Sequence, residues 1–349
     1  MRLQLVLMIA QQLAAVDERA AVYQDSDHTT IVTNNVTARA TPGKHVGVDA
    51  RYLVDVITSA SVDVISAATT RFNEVRHEAQ GGLDYHDDWR KLTASYVFST
   101  ENDWTSHTGN VGFTQDFSRH QVTLHLGGTV VSNDVGRSGD ANFHRSLFVT
   151  GGSAGLTFVL SPRDLLDLSY TLAYSDGYQA SPYRFVSVDN VPIAMGAVEN
   201  VPETRARHAV TVRWNHHAFR DTAFRSHVRA YWDDWGVNSI TAGTEYVVGL
   251  GHEWEMGAFV RGYAQTHAWF YAPSYGQMET YMTADRELST FIDGFAGLRA
   301  GWHQERPGKT FSDLRFDMRA SGFDFEFFDF PRLKERYGVL GEIAFGVTF

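Results

Sequence analysis

Tyr337-Gly338-Val339-Leu340-Gly341-Glu342-Ile343-Ala344-Phe345-Gly346-Val347-Thr348-Phe349 closes the chain. Tyr337, Val339, Ile343, Phe345, Val347 and Phe349 fall at alternate places, and in a strand alternate side chains share a face. The run therefore reads as a strand with a continuous apolar face that ends on an aromatic residue. Just upstream, Leu314, Phe316, Met318 and Ala320 oppose Asp313, Arg315, Asp317 and Arg319. Here the second face carries four charges in succession, alternating acid and base. A strand that is oily on one side and ionic on the other suits a wall between lipid and water.

The same period-two pattern runs through the rest of the sequence. Leu166, Leu168, Tyr170, Leu172 and Tyr174 oppose Asp167, Ser169, Thr171, Ala173 and Ser175. Val46, Val48, Ala50, Tyr52, Val54 and Val56 oppose Asp49, Arg51 and Asp55, and Leu92, Ala94, Tyr96 and Phe98 oppose Lys91, Thr93 and Ser95. The segments run longer than the usual spacing of turn signals in a soluble sandwich, and they suit tilted strands crossing a bilayer. The fold class expected is all-β: a single transmembrane antiparallel barrel of about 16 strands, with 14 to 18 compatible. The spans are 13–24, 29–40, 44–57, 72–86, 89–100, 104–117, 121–133, 146–160, 164–177, 205–217, 221–233, 236–250, 254–271, 290–303, 309–325 and 337–349. Short turns at 41–43, 118–120, 161–163, 219–221 and 306–308 alternate with longer links near 58–71, 134–145, 178–204, 272–289 and 326–336. An even strand count with short inner turns places both termini in the periplasm. Trp214, Trp232, Trp302, Tyr246, Phe270 and Tyr337 are expected to form the interfacial aromatic girdle. Phe345, Val347 and Phe349 resemble the signal read by the barrel-assembly machinery.

Composition narrows the function. The chain has 349 residues, a formal net charge of −11 and no cysteine. The acidic balance argues against nucleic acid. Without cysteine there is no disulfide, thiolate metal site, iron–sulfur cluster or covalently attached haem. Mean hydropathy is −0.26, which is uninformative for a barrel because alternating strands average to neutral. Met1-Arg2 followed by the apolar run Leu3–Ala10 reads as a secretory signal, so residues 1–15 are a candidate leader and 16–349 the barrel.

Two segments carry a family resemblance. They are Tyr23-Gln24-Asp25-Ser26-Asp27-His28-Thr29-Thr30 and the stretch Val54 to Glu78, VDVITSASVDVISAATTRFNEVRHE. They resemble a family of bacterial outer-membrane barrel proteins of unknown function. The resemblance implies fold and location and brings no catalytic residues. It also implies that relatives are encoded near periplasmic redox proteins, thioredoxin-like and flavin-attaching ones among them.

The face turned from lipid holds the candidate functional residues. Arg207, Arg213, Arg225, Arg229, Arg261, Arg299, Arg315 and Arg319 lie on the later strands, with acidic Glu245, Asp293, Asp313 and Asp317. Early strands place Asp49, Asp55, Glu74, Glu78, Asp84, Asp116 and Asp167 inward, with fewer bases, Arg51 among them. An arginine wall facing an acidic wall would orient polar solutes and select ions by sign. The alternative is a structural network in which the charges pair across strands. A second candidate site comprises Asp55, Ser59, Ser61, Asp63, Glu74 and Glu78, rich in small oxygen-bearing side chains. Calcium-loop spacing is absent, and no metal or cofactor is expected. The expected function is a pore for small polar or charged solutes and not an enzyme. The alternatives are a scaffold for periplasmic or surface partners, redox ones among them, and an outer-membrane hydrolase. Expected partners are the lipid bilayer, the assembly machinery, small solutes and periplasmic proteins.

Overall fold

A computed structural model describes residues 13–59, 72–189, 197–305 and 311–349. Sixteen strands close into one barrel in which each pairs antiparallel with its sequence neighbours. They are β1 (Leu13–Asp25), β2 (Thr29–Ala40), β3 (Val46–Ser59), β4 (Phe72–His86), β5 (Arg90–Thr100), β6 (Trp104–Phe117), β7 (Val122–Val135), β8 (Arg145–Ser161) and β9 (Asp164–Gly177). After a long connection follow β12 (Thr204–Phe219), β13 (Thr222–Asp233), β14 (Asn238–Leu250), β15 (Trp254–Gln265), β16 (Phe291–Glu305), β17 (Asp313–Phe327) and β18 (Glu335–Thr348). That connection contains a small hairpin, β10 (Phe185–Val186) with β11 (Ala197–Val198). The barrel closes where β1 meets β18, from Ala15 opposite Thr348 to Asp25 opposite Gly338. Closure removes every sheet edge, so each ladder donor and acceptor finds a partner within the wall. Leu13 to Ala15 of the candidate leader belong to β1, and its first twelve residues lie outside the described ones.

The expected alternation is realised. Val22, Val32, Tyr52, Leu168, Met318 and Phe345 are exposed on the outer face, whereas their charged neighbours turn inward. The outer face also carries polar groups, and three recur in one geometry. Tyr52 Oη pairs with His77 Nδ1 at 2.8 Å, Tyr96 Oη with His107 Nδ1 at 2.6 Å, and Tyr170 Oη with His208 Nδ1 at 2.8 Å. Each histidine sits across from the residue two places beyond its tyrosine: Val54, Phe98 and Leu172. The pairs give the imidazoles a partner where water is lacking.

At the end that holds the termini, connections are tight. Ser118, Arg119, His120, Asp221 and Gly251 adopt the left-handed backbone such turns need. Asp87 caps another, accepting from the Trp89 and Arg90 amides at 2.8 Å. The opposite end carries the long links. Strand β15 stops at Gln265, short of the expected residue 271. Beyond it the chain folds over the barrel mouth, where Ala268, Phe270 and Tyr271 pack with Trp235, Val237, Val201 and Leu288. Phe270 is therefore buried there and belongs to no girdle, unlike the exposed Trp214, Trp232, Tyr246 and Tyr337.

Within the two longest links, residues 178–189 and 197–203 of the first and 266–290 of the second form a lid. Val186, Val188 and Ala197 of the first pack on Tyr275, Met282 and Ala284 of the second. Backbone bridges join Val188 to Tyr275 and Asn200 to Met282. Each link also reaches a distant turn. Tyr183 donates to Asp103 between β5 and β6, and Arg286 binds Asp27 between β1 and β2. Going round the ring, these two turns and the two lid links stand four strands apart.

Candidate functional site: the charged lumen

The inward positions of β12 to β17 set arginines in tiers. Arg213 stands opposite His227, which faces Gly243, which faces Arg261. One tier nearer the termini come Arg225, Glu245 and Phe259. All thirteen lumen charges expected from the sequence lie on the inward parity of their strands, including Arg315 and Asp317 near the terminus end. Most are paired. Arg213 meets Asp167 at 2.8 Å, Arg225 meets Glu245 at 3.5 Å and Arg261 meets Asp293 at 3.3 Å. Arg299 lies among Glu245, Glu255 and Asp317. Asp313 takes His303 at 2.5 Å and Arg315 at 3.0 Å. Three arginines differ. Among the described residues, Arg207, Arg229 and Arg319 have no carboxylate at ion-pair distance, and Arg319 instead lies 3.7 Å over the Phe259 ring.

The opposite wall is less acidic than the sequence reading expected. Arg39, Arg51 and Arg76 also point inward and bind Asp84, Glu78 and Asp55 respectively. The expected transverse field is thus partly cancelled within the early strands, and its positive half survives at the three arginines without a carboxylate. Of these bases the sequence pattern points to Arg51 but not to Arg39 on β2 or Arg76 on β4.

The second candidate site is largely a set of wall contacts. Asp55 accepts from Thr33 Oγ1 at 2.5 Å as well as from Arg76. Ser59 meets Thr29 at 2.7 Å, and Glu78 binds Arg51. Glu74 lies beside Glu101 and Asp103 at the lid end. Ser61 and Asp63 lie outside the described residues. Among the described residues, no group of three or more His, Asp or Glu side chains is placed to hold a metal ion.

The motif Tyr23 to Thr30 has a clear structural task. Tyr23 donates to Asp25 at 2.7 Å and stacks on Phe323 with centroids 5.2 Å apart. Asp25 accepts from the Thr29 amide at 2.9 Å. This turn holds Asp27 where Arg286 of the lid reaches it.

Reading by element missed two groups. One is an inward aromatic wall of Phe291, Phe295, Phe323, Phe325 and Phe327 near the lid. Its signal is present in the sequence, since Phe323, Phe325 and Phe327 continue the parity of Asp313 to Arg319. The other is a cavity of about 450 Å³ under the lid, with Arg205, Arg207, Arg229, Tyr231 and Tyr263 in its lining. A rim contact also bears on the hydrolase alternative. His267 Nδ1 lies 3.0 Å from Thr290 Oγ1 and 3.2 Å from Asp329. A proton relay needs the hydroxyl and the carboxylate on different ring nitrogens, and here both meet the same one.

The family model for a protein of unknown function (DUF3570) matches residues 66–152 and 144–318. The chain belongs to this family. Among solved structures, it is similar to a bacterial polysaccharide outer membrane secretin, with 10% identity over 97% of this chain and 99% of that one and a TM-score of 0.57. It is also similar to CdiB from Acinetobacter baumannii, with 10% identity over 96% of this chain and 60% of that one and a TM-score of 0.52. At such identities the likeness concerns the fold. Comparison with curated proteins returns no match. This DUF3570 chain is an integral outer-membrane β-barrel.

Proposed function

We propose that the barrel is a pore for small polar or charged solutes, narrowed by its lid. One observation carries the reading: among the described residues, the buried apolar clusters gather at the lid end, around Phe270, Met282 and Phe330. Below the lid, charged and polar side chains share the wall with scattered apolar ones such as Phe259 and Leu340. A sixteen-strand cylinder is also wide enough for an aqueous path. The tight turns beside the termini and the long links opposite support a periplasmic location for both termini and a surface location for the lid. In this reading Phe345 and Val347 on the outer face of β18, with Phe349 just beyond its end, serve the assembly machinery.

The test is conductance of the refolded protein in a planar bilayer. Stepwise currents that scale with salt are expected. Silence from folded, inserted protein overturns the pore and favours the scaffold for periplasmic partners. Orientation is checked separately, since the chain has no native cysteine. Asn142→Cys should react with an impermeant maleimide on intact cells, whereas His252→Cys should not; the reverse labelling overturns the orientation.

A further inference from the structure

We propose that the cavity beneath the lid is a binding site for small aromatic carboxylates. The proposal rests on the pore reading only in placing the cavity on the solute's path; the recognition chemistry stands on its own.

Lid residues Gln179 and Leu288 bound the cavity on one side and the barrel wall on the other. Its volume of about 450 Å³ lies within the range of small-molecule sites. Three arginines line it, and one is already engaged. Arg205 binds Asp233 at 2.5 Å and lies 4.2 Å over the Trp235 ring. Arg207 reaches only Ser175 Oγ, and its buried Nε has no hydrogen-bond partner among the described residues. Arg229 lies 5.5 Å over the Tyr231 ring and, among the described residues, has no carboxylate at ion-pair distance. Carboxylates of the lid also border the cavity, but Asp285 is held by Arg184 at 3.0 Å. Glu287 lies between Arg286 at 3.4 Å and Arg336 at 3.6 Å. The cavity thus carries positive charge that lacks a counter-ion, on planar groups suited to a carboxylate fork.

The rest of the lining specifies a ring. Tyr231 donates to Asp233 at 2.6 Å, Tyr263 to Gln265 at 2.6 Å, and Trp235 Nε1 to the Thr204 carbonyl at 2.8 Å. Their polar tips are satisfied by the wall, so what they offer the cavity is ring carbon. Register puts Ala209 opposite Tyr231, Arg207 opposite Asp233 and Thr211 opposite Arg229. The two guanidinium groups therefore stand one inward rung to either side of Tyr231. A solute with one carboxylate and one flat ring meets both features at once. Inorganic phosphate or acetate meets only the first.

The test is calorimetric titration of the full-length barrel in detergent with benzoate, acetate, benzamide and phosphate. Saturable benzoate binding is expected, at least tenfold tighter than that of the other three. The R207Q/R229Q variant should lose at least tenfold in benzoate affinity. Y231L, which keeps both arginines, should lose most of the preference of benzoate over acetate. Each variant is first shown to be a folded barrel by its circular dichroism and heat-dependent gel mobility, and R229Q alone serves if the double variant does not fold. Absence of saturable benzoate binding overturns the proposal, as does equal binding of acetate, benzamide or phosphate. A barrel that conducts while ignoring benzoate refutes the site and leaves the pore. A silent barrel that binds benzoate through Arg207 and Arg229 refutes the pore and leaves the site.

Discussion

Individual side chains on the outer face show how the wall tolerates polarity in lipid. A buried imidazole without a partner is costly, and each of His77, His107 and His208 has a tyrosine hydroxyl. Tyr170→Phe keeps the ring and removes only the hydroxyl. It should cost roughly 1 kcal/mol, and Tyr52→Phe, Tyr96→Phe and Tyr170→Phe together roughly 3 kcal/mol, because distant sites add. Urea titration of protein folded into vesicles checks this; an unchanged midpoint for the triple variant would mean the hydroxyls contribute nothing. Gly338 tests the opposite face of the closing seam. A Cβ there would strike the Gln24 carbonyl and the Phe323 ring. Gly338→Ala should lose about 1–3 kcal/mol by overpacking a site where backbone is one of the obstacles.

Among elements, the lid is where sequence and structure part. Strands β2, β4, β6 and β9 begin and end where the alternation of their residues predicts. Period-two patterning reports directly on a wall with two different solvents. The segment Thr266 to Phe270 contains apolar residues without that period, and reading it as more of β15 overran the strand. What fixes it is contact with Trp235 and Leu288, which are remote in sequence. The arginine tiers were legible because they lie on strands; the cavity was not, because a third of its lining belongs to the lid. The lid should also respond to acidity. Burial raises the Glu199 carboxyl above the usual carboxylate range, and Asp285 adds to this, against the opposing effects of Arg184, Thr283 and Ser181. A raised folded value means the packed lid favours the protonated acid. Its stability is then greatest below the ordinary glutamate value and falls as pH rises through the raised one. Hydrogen exchange in residues 197–203 should therefore slow, relative to the intrinsic exchange rate, on passing from pH 8 to pH 5. Faster relative exchange at pH 5 would contradict this assignment of sign.

At the scale of the whole barrel, charge is distributed so that neighbours cancel nearly everywhere. Arg39, Arg51 and Arg76 neutralise much of the acidic early wall, while Arg319, across from Glu342 in register, has no carboxylate at ion-pair distance among the described residues, and Arg315 lies close to Asp17 and Asp313 near the terminus end. Replacing both by glutamate should move the reversal potential in a salt gradient toward cation preference. Unchanged selectivity in a conducting barrel would remove this wall from any role in filtering. The lid's anchorage has a mechanical counterpart. A thin cylinder flattens easily into an ellipse, and one brace resists this along a single diameter only. The two anchors and the contact between the links instead tie three successive quarters of the rim, each as a chord, like guy lines strung between neighbouring posts. Cutting one, as Arg286→Gln would do at Asp27, frees the quarter between the β1–β2 turn and the β15–β16 link, so the rim should widen there while the far rim, knitted by tight turns, keeps its shape.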